Sequence, residues 1–590
     1  MSIDDRVKSL RELMKKNGIT MYIVATADPH MNEYLSDHYK DRVFISGFTG
    51  SQGNVIITMD KAMLWADGRY HVQAENQLKG TSYELYKWGK PGVPTFMEYL
   101  RDSVAKGEVI GFNGKTFSEA MFERIEDLVD GRDVKFVDDV DLISEIWTDR
   151  PALKKDKAFI LSDEEAGEST RDKLKRFREA LKEEGADLSI IASLDDICWL
   201  YNIRANDIQD SPVLISYAYI DFDKAAIYTD LDKLDDAIIK ALNAQGVEVK
   251  AYEAFEDDLR KIKDKTIYLD ENKINRYMFK LIEDDNYVID DINITTKFKA
   301  VKNDTEIKNI KKAHITDGVA IARFMKWLKE SDKTELDELT VQDKLHEFRA
   351  MSEDFLEESF DTICGYADNG AIVHYMSSEA TNKKLEAKGL LLVDSGGQYK
   401  FGTTDITRTM AMGDLSDEER KGFTLVLKGF IRLMSVVFKK GTKGSSLDLL
   451  ARLDLYKNQM DYLHGTGHGV GYLLNVHEGP HNISSRYNDV DLVKNMIFSV
   501  EPGVYEDGKY GVRTENLVYV EDAGTSKYGD FFRLEPLTYA PIDKDAIDKD
   551  MLTAEEISWL NAYHKAVYEK VSPLLDEDEK AWLKKVTSEI

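Results

Sequence analysis

Apolar and polar positions follow one pattern in the first half of the chain and another in the second. Near the start, a charged amphipathic stretch over residues 4–17 reaches Gly18, and an apolar run over 20–26 follows. The period is first helical and then that of a strand. The same order recurs at 171–184, Gly185 and 187–193. Further on, Lys61-Ala-Met-Leu-Trp-Ala-Asp67 resembles Lys224-Ala-Ala-Ile-Tyr-Thr-Asp230, each an apolar run ending in an acid. A helix and another strand follow each, at 109–112 and 266–269. This recurrence predicts two related α/β domains, 1–150 and 151–298, joined near Trp147-Thr-Asp-Arg-Pro151. Neither half contains a Walker loop or a dinucleotide-type glycine fingerprint, so neither reads as a nucleotide site.

After residue 298 the pattern changes. Asn303-x-x-Glu306 is an N-cap with its partner three residues on, and it predicts a helix running to about residue 330. Thr340-x-x-Asp343 and Ser416-x-x-Glu419 are expected to open two more. Strands are predicted at 389–394, 408–412, 496–500 and 516–520. Long helices with short hairpin-like strands predict an α+β domain over 299–590 with an antiparallel sheet.

A chain of 590 residues exceeds one core, since domains usually hold ~100–200 residues. The net charge of −29 argues against nucleic acid or an anionic membrane as the main partner. Two cysteines, Cys198 and Cys364, cannot make a disulfide framework. They suit a reducing compartment and are expected to pack as small apolar residues. The first residues carry no apolar signal core, and no run of ~18 apolar residues occurs. A cytoplasmic protein without membrane spans is expected.

Candidate chemistry lies in the second half. Of eleven histidines, His464, His468, His477 and His481 are close neighbours in sequence. The segment His464-Gly-Thr-Gly-His468-Gly-Val-Gly-Tyr472 places glycine at alternate positions. That clears space for backbone and ligand around the imidazoles. Asp394 ends the apolar run Leu390-Leu-Leu-Val393, and Asp405 lies in Gly402-Thr-Thr-Asp-Ile. Two neighbouring strands joined by a turn would bring both carboxylates together. Glu501 follows Ile497-Phe-Ser-Val500, and Glu515 begins the run 516–520. Taken singly, Asp394, Asp405 and Glu501 also read as turn residues.

Together, Asp394, Asp405, His468, Glu501 and Glu515 make a hard, oxygen-rich donor set. Such a set favours Mn, Mg or Fe over thiolate-loving metals, with Zn or Co as alternatives. Four like charges at close range need cations, enough for two divalent ions. Two metals ~3.5–4 Å apart bridge one water and bring its pKa toward neutrality, and that hydroxide can attack a peptide carbonyl.

An ordered set of motifs runs through nearly the whole chain. It comprises Asp67-Gly-Arg-Tyr70, Trp147-Thr-Asp-Arg-Pro151, Asn369-Gly-Ala-Ile-Val-His-Tyr375, Asp394-Ser-Gly-Gly-Gln-Tyr399 and Gly402-Thr-Thr-Asp-Ile-Thr-Arg-Thr409. It continues with Leu463-His-Gly-Thr-Gly-His-Gly-Val-Gly471, Asn475-Val-His-Glu-Gly-Pro480, Glu501-Pro-Gly-Val-Tyr505 and Val512-Arg-Thr-Glu-Asn516. The set resembles the pita-bread metallopeptidases of family M24, most closely the cytosolic three-domain aminopeptidase P group. The resemblance implies two creatinase-N-like α/β domains ahead of an α+β pita-bread catalytic domain. It also implies a dinuclear enzyme that hydrolyses the first bond of peptides with proline at the second position.

The implied roles fall on individual residues. Asp394 would bind one metal, His468 and Glu501 the other, and Asp405 and Glu515 both. Glu501 would also be the general base. His374 and His477 would bind substrate and stabilise the tetrahedral intermediate. His464 would line the proline side, and Arg69 would reach the substrate from the first domain. Mn2+ is the expected metal, with Zn2+ or Co2+ as alternatives, and a homodimer is implied. His314 and His481 match no implied role and read as structural or exposed.

Two rivals follow from the same residues. A prolidase would carry the same metals and cut only dipeptides ending in proline; the two repeated domains favour the aminopeptidase. A metal-free pita-bread binding module would have lost the ligand residues, and all of them are present here.

Overall fold

A computed structural model describes residues 1–590. The chain divides into two compact units, one of Met1–Ser162 with Glu168–Thr295 and one of Asp163–Gly167 with Thr296–Ile590.

The first unit holds two six-stranded sheets of the same topology. In the first, Met21–Val24 is central. It pairs antiparallel with Asn54–Thr58 on one side and parallel with Val109–Gly111 on the other. Ala62–Ala66 continues antiparallel, and Tyr83–Lys87 and Lys135–Val137 close the edges in parallel. In the second sheet, Leu188–Ile191 takes the central place between Ser216–Asp221 and Thr266–Leu269. Ala225–Thr229 occupies the place of Ala62–Ala66. The helices Ile3–Lys16 and Thr170–Glu183 precede the two central strands and show the amphipathic pattern expected. The recurrence in sequence is therefore a recurrence of topology. We propose that each sheet with its helices is one domain, with the boundary near residue 150.

In the second unit, two antiparallel sheets carry the site. A three-stranded sheet joins Ile363–Tyr366, Leu390–Ser395 and Ile406–Ala411. A six-stranded sheet runs through Val437–Lys439, Gly529–Pro536, Asn516–Ser526, Ile497–Val500, Gly467–Gly469 and Glu478–Ile483. The helix Asp417–Met434 buries Phe423, Val426, Leu427 and Phe430 in a core with Phe498, Val518 and Val520. Each such side chain contributes about 1.5–3 kcal/mol on burial.

The expected caps at Asn303 and Ser416 are complete capping boxes. The third differs. The helix begins at Glu338, and Asp337 caps it through the Thr340 N–H. Thr340 is thus the capped residue, not the cap. The pairs 394/405 and 501/515 lie where their strands meet, with Asp394 opposite Thr407 and Val500 opposite Asn516. Both cysteines are buried.

One buried guanidinium ties these strands to the C-terminal region. Arg408 donates to the Thr407, Glu515, Ala540 and Pro541 carbonyls, to Asn516 Oδ1 and to Tyr563 Oη. Burial holds its pKa below the ordinary arginine value, so its charge is kept by these acceptors. Replacing it with methionine strands several buried acceptors, each costing about 1–3 kcal/mol. R408M is expected to lose about 3 kcal/mol or more in chemical denaturation followed by tryptophan fluorescence; a change under ~0.5 kcal/mol would refute the role.

Candidate metal centre

The site is built by register. Asp394 and Asp405 stand at adjoining ends of two paired strands, and Glu501 and Glu515 do the same in the larger sheet. One backbone bond, Glu515 N–H to the Thr407 carbonyl at 3.1 Å, stitches the two sheets together. Another, Glu501 N–H to the Thr466 carbonyl at 2.8 Å, holds the glycine-rich segment against them. Glycine is required there. A Cβ on Gly467 would lie 1.9 Å from the Ser499 carbonyl oxygen, and one on Gly469 2.2 Å from that of Glu478.

His468 stands among the acids. Its Nε2 lies 3.4 Å from Asp405 Oδ2 and 3.5 Å from Glu501 Oε1. Ligand atoms of Asp405, His468 and Glu515 all lie within 4.8 Å of one another. Nδ1 donates to the Gly469 carbonyl at 2.9 Å, which turns Nε2 toward the carboxylates. The His468 amide donates to Ser499 Oγ at 3.0 Å, and that hydroxyl donates to Glu501 Oε1 at 3.1 Å. Asp394 Oδ2 accepts from Arg513 Nη2 at 2.6 Å, and Glu515 Oε2 accepts from Thr407 Oγ1 at 2.8 Å.

The opposite oxygens are the telling ones. Asp394 Oδ1, Asp405 Oδ1 and Glu515 Oε1 are buried and have no hydrogen-bond donor. An orphaned carboxylate oxygen is costly away from water unless a cation meets it. The protonation energetics agree. Burial, followed by the charges of Asp405, Glu501 and Asp394, pushes Glu515 well above the carboxylate range. Burial also raises Glu501 and Asp394, the latter despite Arg513 beside it. For His468, burial works downward, but the Asp405 hydrogen bond and the Glu501 charge outweigh it and raise its pKa to about 9. The donor set, the orphaned oxygens and the mutual repulsion all fit divalent cations.

The other expected residues are placed as follows. The His477 ring meets the His468 ring edge-on, with centroids 4.2 Å apart. His464 Nε2 accepts from Tyr505 Oη at 2.9 Å while its Nδ1 donates to the Gly465 carbonyl at 2.7 Å. Its Nδ1 is 4.0 Å from Glu501 Oε2. His374 is half-buried on the irregular segment that follows Ala367–Ala371. Arg69 lies in the first unit, where it grips Asp67 with two bonds of 2.9 and 2.7 Å. His314 and His481 are both buried, so of the two expected alternatives the exposed one is excluded.

Sequence reasoning assigned no role to Arg513, Tyr505 or Ser499. Arg513 joins Asp394 to Tyr505 Oη at 2.6 Å, to Thr407 Oγ1 at 3.2 Å and to the Val373 carbonyl at 3.4 Å. Its place two residues before Glu515, within a motif already singled out, was the available signal.

Comparison with known proteins extends this picture. Residues 308–522 match the model of metallopeptidase family M24, and 530–590 that of its C-terminal region. Residues 6–146 and 149–306 each match a creatinase/prolidase N-terminal domain. A probable Xaa-Pro aminopeptidase P of Neurospora crassa is 38% identical, over 99% of this chain and 89% of its own length. The crystal structure of X-prolyl aminopeptidase from Caenorhabditis elegans, described as a cytosolic enzyme with a di-nuclear active site, superposes with a TM-score of 0.96. It is 33% identical and covers all of both chains. The Xaa-Pro dipeptidase of Bacillus anthracis shares the fold at a TM-score of 0.51 and 23% identity, over 64% of this chain and 99% of its own. Two creatinase-N-like domains followed by a pita-bread domain are thus the architecture here, and the chain belongs to metallopeptidase family M24, in its Xaa-Pro aminopeptidase P branch.

Proposed function

We propose that this chain is a two-metal aminopeptidase that removes the first residue from peptides with proline at the second position. Two observations carry the proposal: buried carboxylate oxygens of Asp394, Asp405 and Glu515 lack a donor, and ligand atoms of Asp405, His468 and Glu515 lie within 4.8 Å of one another. Asp394 would hold one ion, His468 and Glu501 the second, and Asp405 and Glu515 both. When bound, such ions lower the pKa of a water and polarise the scissile carbonyl.

The chain's own groups do the rest. Glu501 is the acceptor of the water proton, since Ser499 fixes one of its oxygens and leaves the other toward His464. It returns that proton to the departing proline nitrogen. His374 and His477 donate to the developing oxyanion. An Xaa-Pro bond is a tertiary amide with no N–H to grip, so recognition must come through the carbonyl and the ring. His464, held by Tyr505, suits the ring side. Arg69, whose guanidinium Asp67 holds at 2.7 Å, is a further proposed substrate-binding residue. Mn2+ is the proposed metal, the cytoplasm the proposed compartment and a homodimer the proposed assembly. The Caenorhabditis neighbour's description as cytosolic supports the compartment. No helix is long and apolar enough to cross a membrane.

Three outcomes are expected. Given Mn2+, the enzyme cleaves an Arg-Pro-Pro peptide much faster than the dipeptide Ala-Pro, as followed by chromatography of the products. The reverse preference would make it a prolidase. Glu515→Ala loses activity by ~10³-fold or more together with bound metal measured by elemental analysis; full turnover with metal retained would sink the bridging assignment.

Metal loading is also expected to expel protons. His468 is raised to about 9, so at pH 7.5 the metal-free imidazole carries a proton. Burial and its acidic neighbours also favour the protonated form of Glu515. Calorimetric titration of Mn2+ in buffers of differing ionisation enthalpy should therefore show about one proton or more released per chain. The release should fall as pH rises through 9. Zero release at pH 7.5 would contradict it.

A further inference from the structure

Between the strands Ile363–Tyr366 and Leu390–Ser395 the chain has no regular element beyond the short turn Ala367–Ala371. This segment carries His374. A side chain on an irregular loop meets a reacting carbonyl only if something outside the loop holds it.

One carboxylate does so. Glu338, in the first turn of the helix Glu338–Ala350, is fully buried at 0% exposure. Its oxygens accept from the Tyr366 N–H at 2.7 Å, the Asn369 amide at 2.9 and 3.0 Å, the Tyr375 hydroxyl at 2.8 Å and the Lys383 N–H at 3.0 Å. These donors come from the start, middle and end of the loop. A carboxylate offers about four lone-pair sites, and here all are used. The helix start adds two bonds, Glu338 N–H to the Lys383 carbonyl at 3.1 Å and Leu339 N–H to Asn382 Oδ1 at 3.3 Å.

His374 sits between two anchored neighbours. Tyr375, just after it, is buried and bound to Glu338. Val373, just before it, gives its carbonyl to Arg513, which also holds Asp394. The loop is therefore referenced on one side to the metal-centre acids and on the other to Glu338. Satisfying two backbone N–H groups would not call for a tyrosine hydroxyl and an asparagine amide as well.

We propose that Glu338 is a positioning residue, whose buried carboxylate fixes the loop 366–383 so that His374 meets the scissile carbonyl. The inference rests on the role given to His374 above. Glutamine at 338 keeps the shape, but its NH2 must face a donor: either the Lys383 or the Tyr366 N–H, neither of which can turn away. One anchor is lost without emptying the site.

The test is a double-mutant cycle on the full-length, Mn2+-loaded protein with an Arg-Pro-Pro peptide. Glu338→Gln should lower kcat by ~10–100-fold and move KM less than about threefold, with bound metal unchanged. Combined with His374→Ala, it should add no more than about a twofold further loss. Tyr375→Phe removes one hydroxyl, with its contacts to Glu338 and to Asn369 and Thr381 of the same loop, and should give a smaller fall in kcat that likewise vanishes in the His374→Ala background. That variant decides the matter if Glu338→Gln does not fold. Losses that multiply in the double variant, or wild-type kcat in both Glu338→Gln and Tyr375→Phe, overturn the positioning role. Wild-type kcat in His374→Ala alone overturns instead the reading of His374, and the inference with it.

Discussion

Four carboxylates brought together out of water repel one another, and the second unit is arranged around that conflict. Burial disfavours the charges of Asp394, Glu501 and Glu515, and each acidic neighbour adds to the penalty on Glu515. Arg513 is the guanidinium ion-paired with a carboxylate of the cluster, and its partner is Asp394. Arg513 and a protonated His468 together cannot neutralise four negative charges. The remaining charge has to be met by cations or by protons, and a site that swaps one for the other is a metal site whose affinity depends on pH. The same repulsion means that the acids cannot collapse onto one another when bare, so their spacing must be set by the backbone.

The backbone supplies that spacing through paired strands. Ligands that follow a β-ladder inherit its register, which a one-residue slip would turn to the wrong face. Here two ladders each deliver two acids, and the bond from Glu515 N–H to the Thr407 carbonyl locks one to the other. The glycine-rich segment then carries His468 in, at a distance from Ser499 that leaves no space for a Cβ on Gly467. Rigid elements hold all five metal-type ligands, whereas His374 rides on a loop. That contrast is the physical reason a further buried carboxylate, Glu338, is needed away from the centre.

Local patterns were legible in the sequence and distant ones were not. The repeated helix–glycine–strand order announced two sheets because it depends on neighbours a few positions apart. Capping boxes at Asn303 and Ser416 were legible for the same reason. The box at Thr340 misled, since Asp337 outcompetes it by accepting from the Thr340 amide and frees Glu338 for the loop. Strand-end acids stood out because charge after an apolar run is expensive unless something pays for it. Arg513 and Glu338 carried no such signal. Their partners, Asp394 and Tyr375, are separated from them by long stretches of chain, and only folding brings them together.

His468 and His481 show why residue type and local spacing stop short of chemistry. Both belong to the histidine-rich stretch; His481 is buried and His468 half-buried, and desolvation opposes the charged ring in each. At His468 the groups facing the ring are Asp405 and Glu501, and the pKa rises to about 9. At His481 burial acts first, and the nearby ammonium groups of Lys302 and Lys299 add to it, driving the pKa down to about 3. Its Nε2 donates to the Ile497 carbonyl at 2.7 Å, so it stays neutral and braces the strand that leads into Glu501. Both lysines are ion-paired with Glu478, the residue after His477. The carboxylates beside His468 and the ammonium groups near His481 thus assign opposite states to two similar rings. Which histidine can serve as a ligand follows from the charges it faces across the sheet, a property of the folded arrangement that spacing along the chain does not encode.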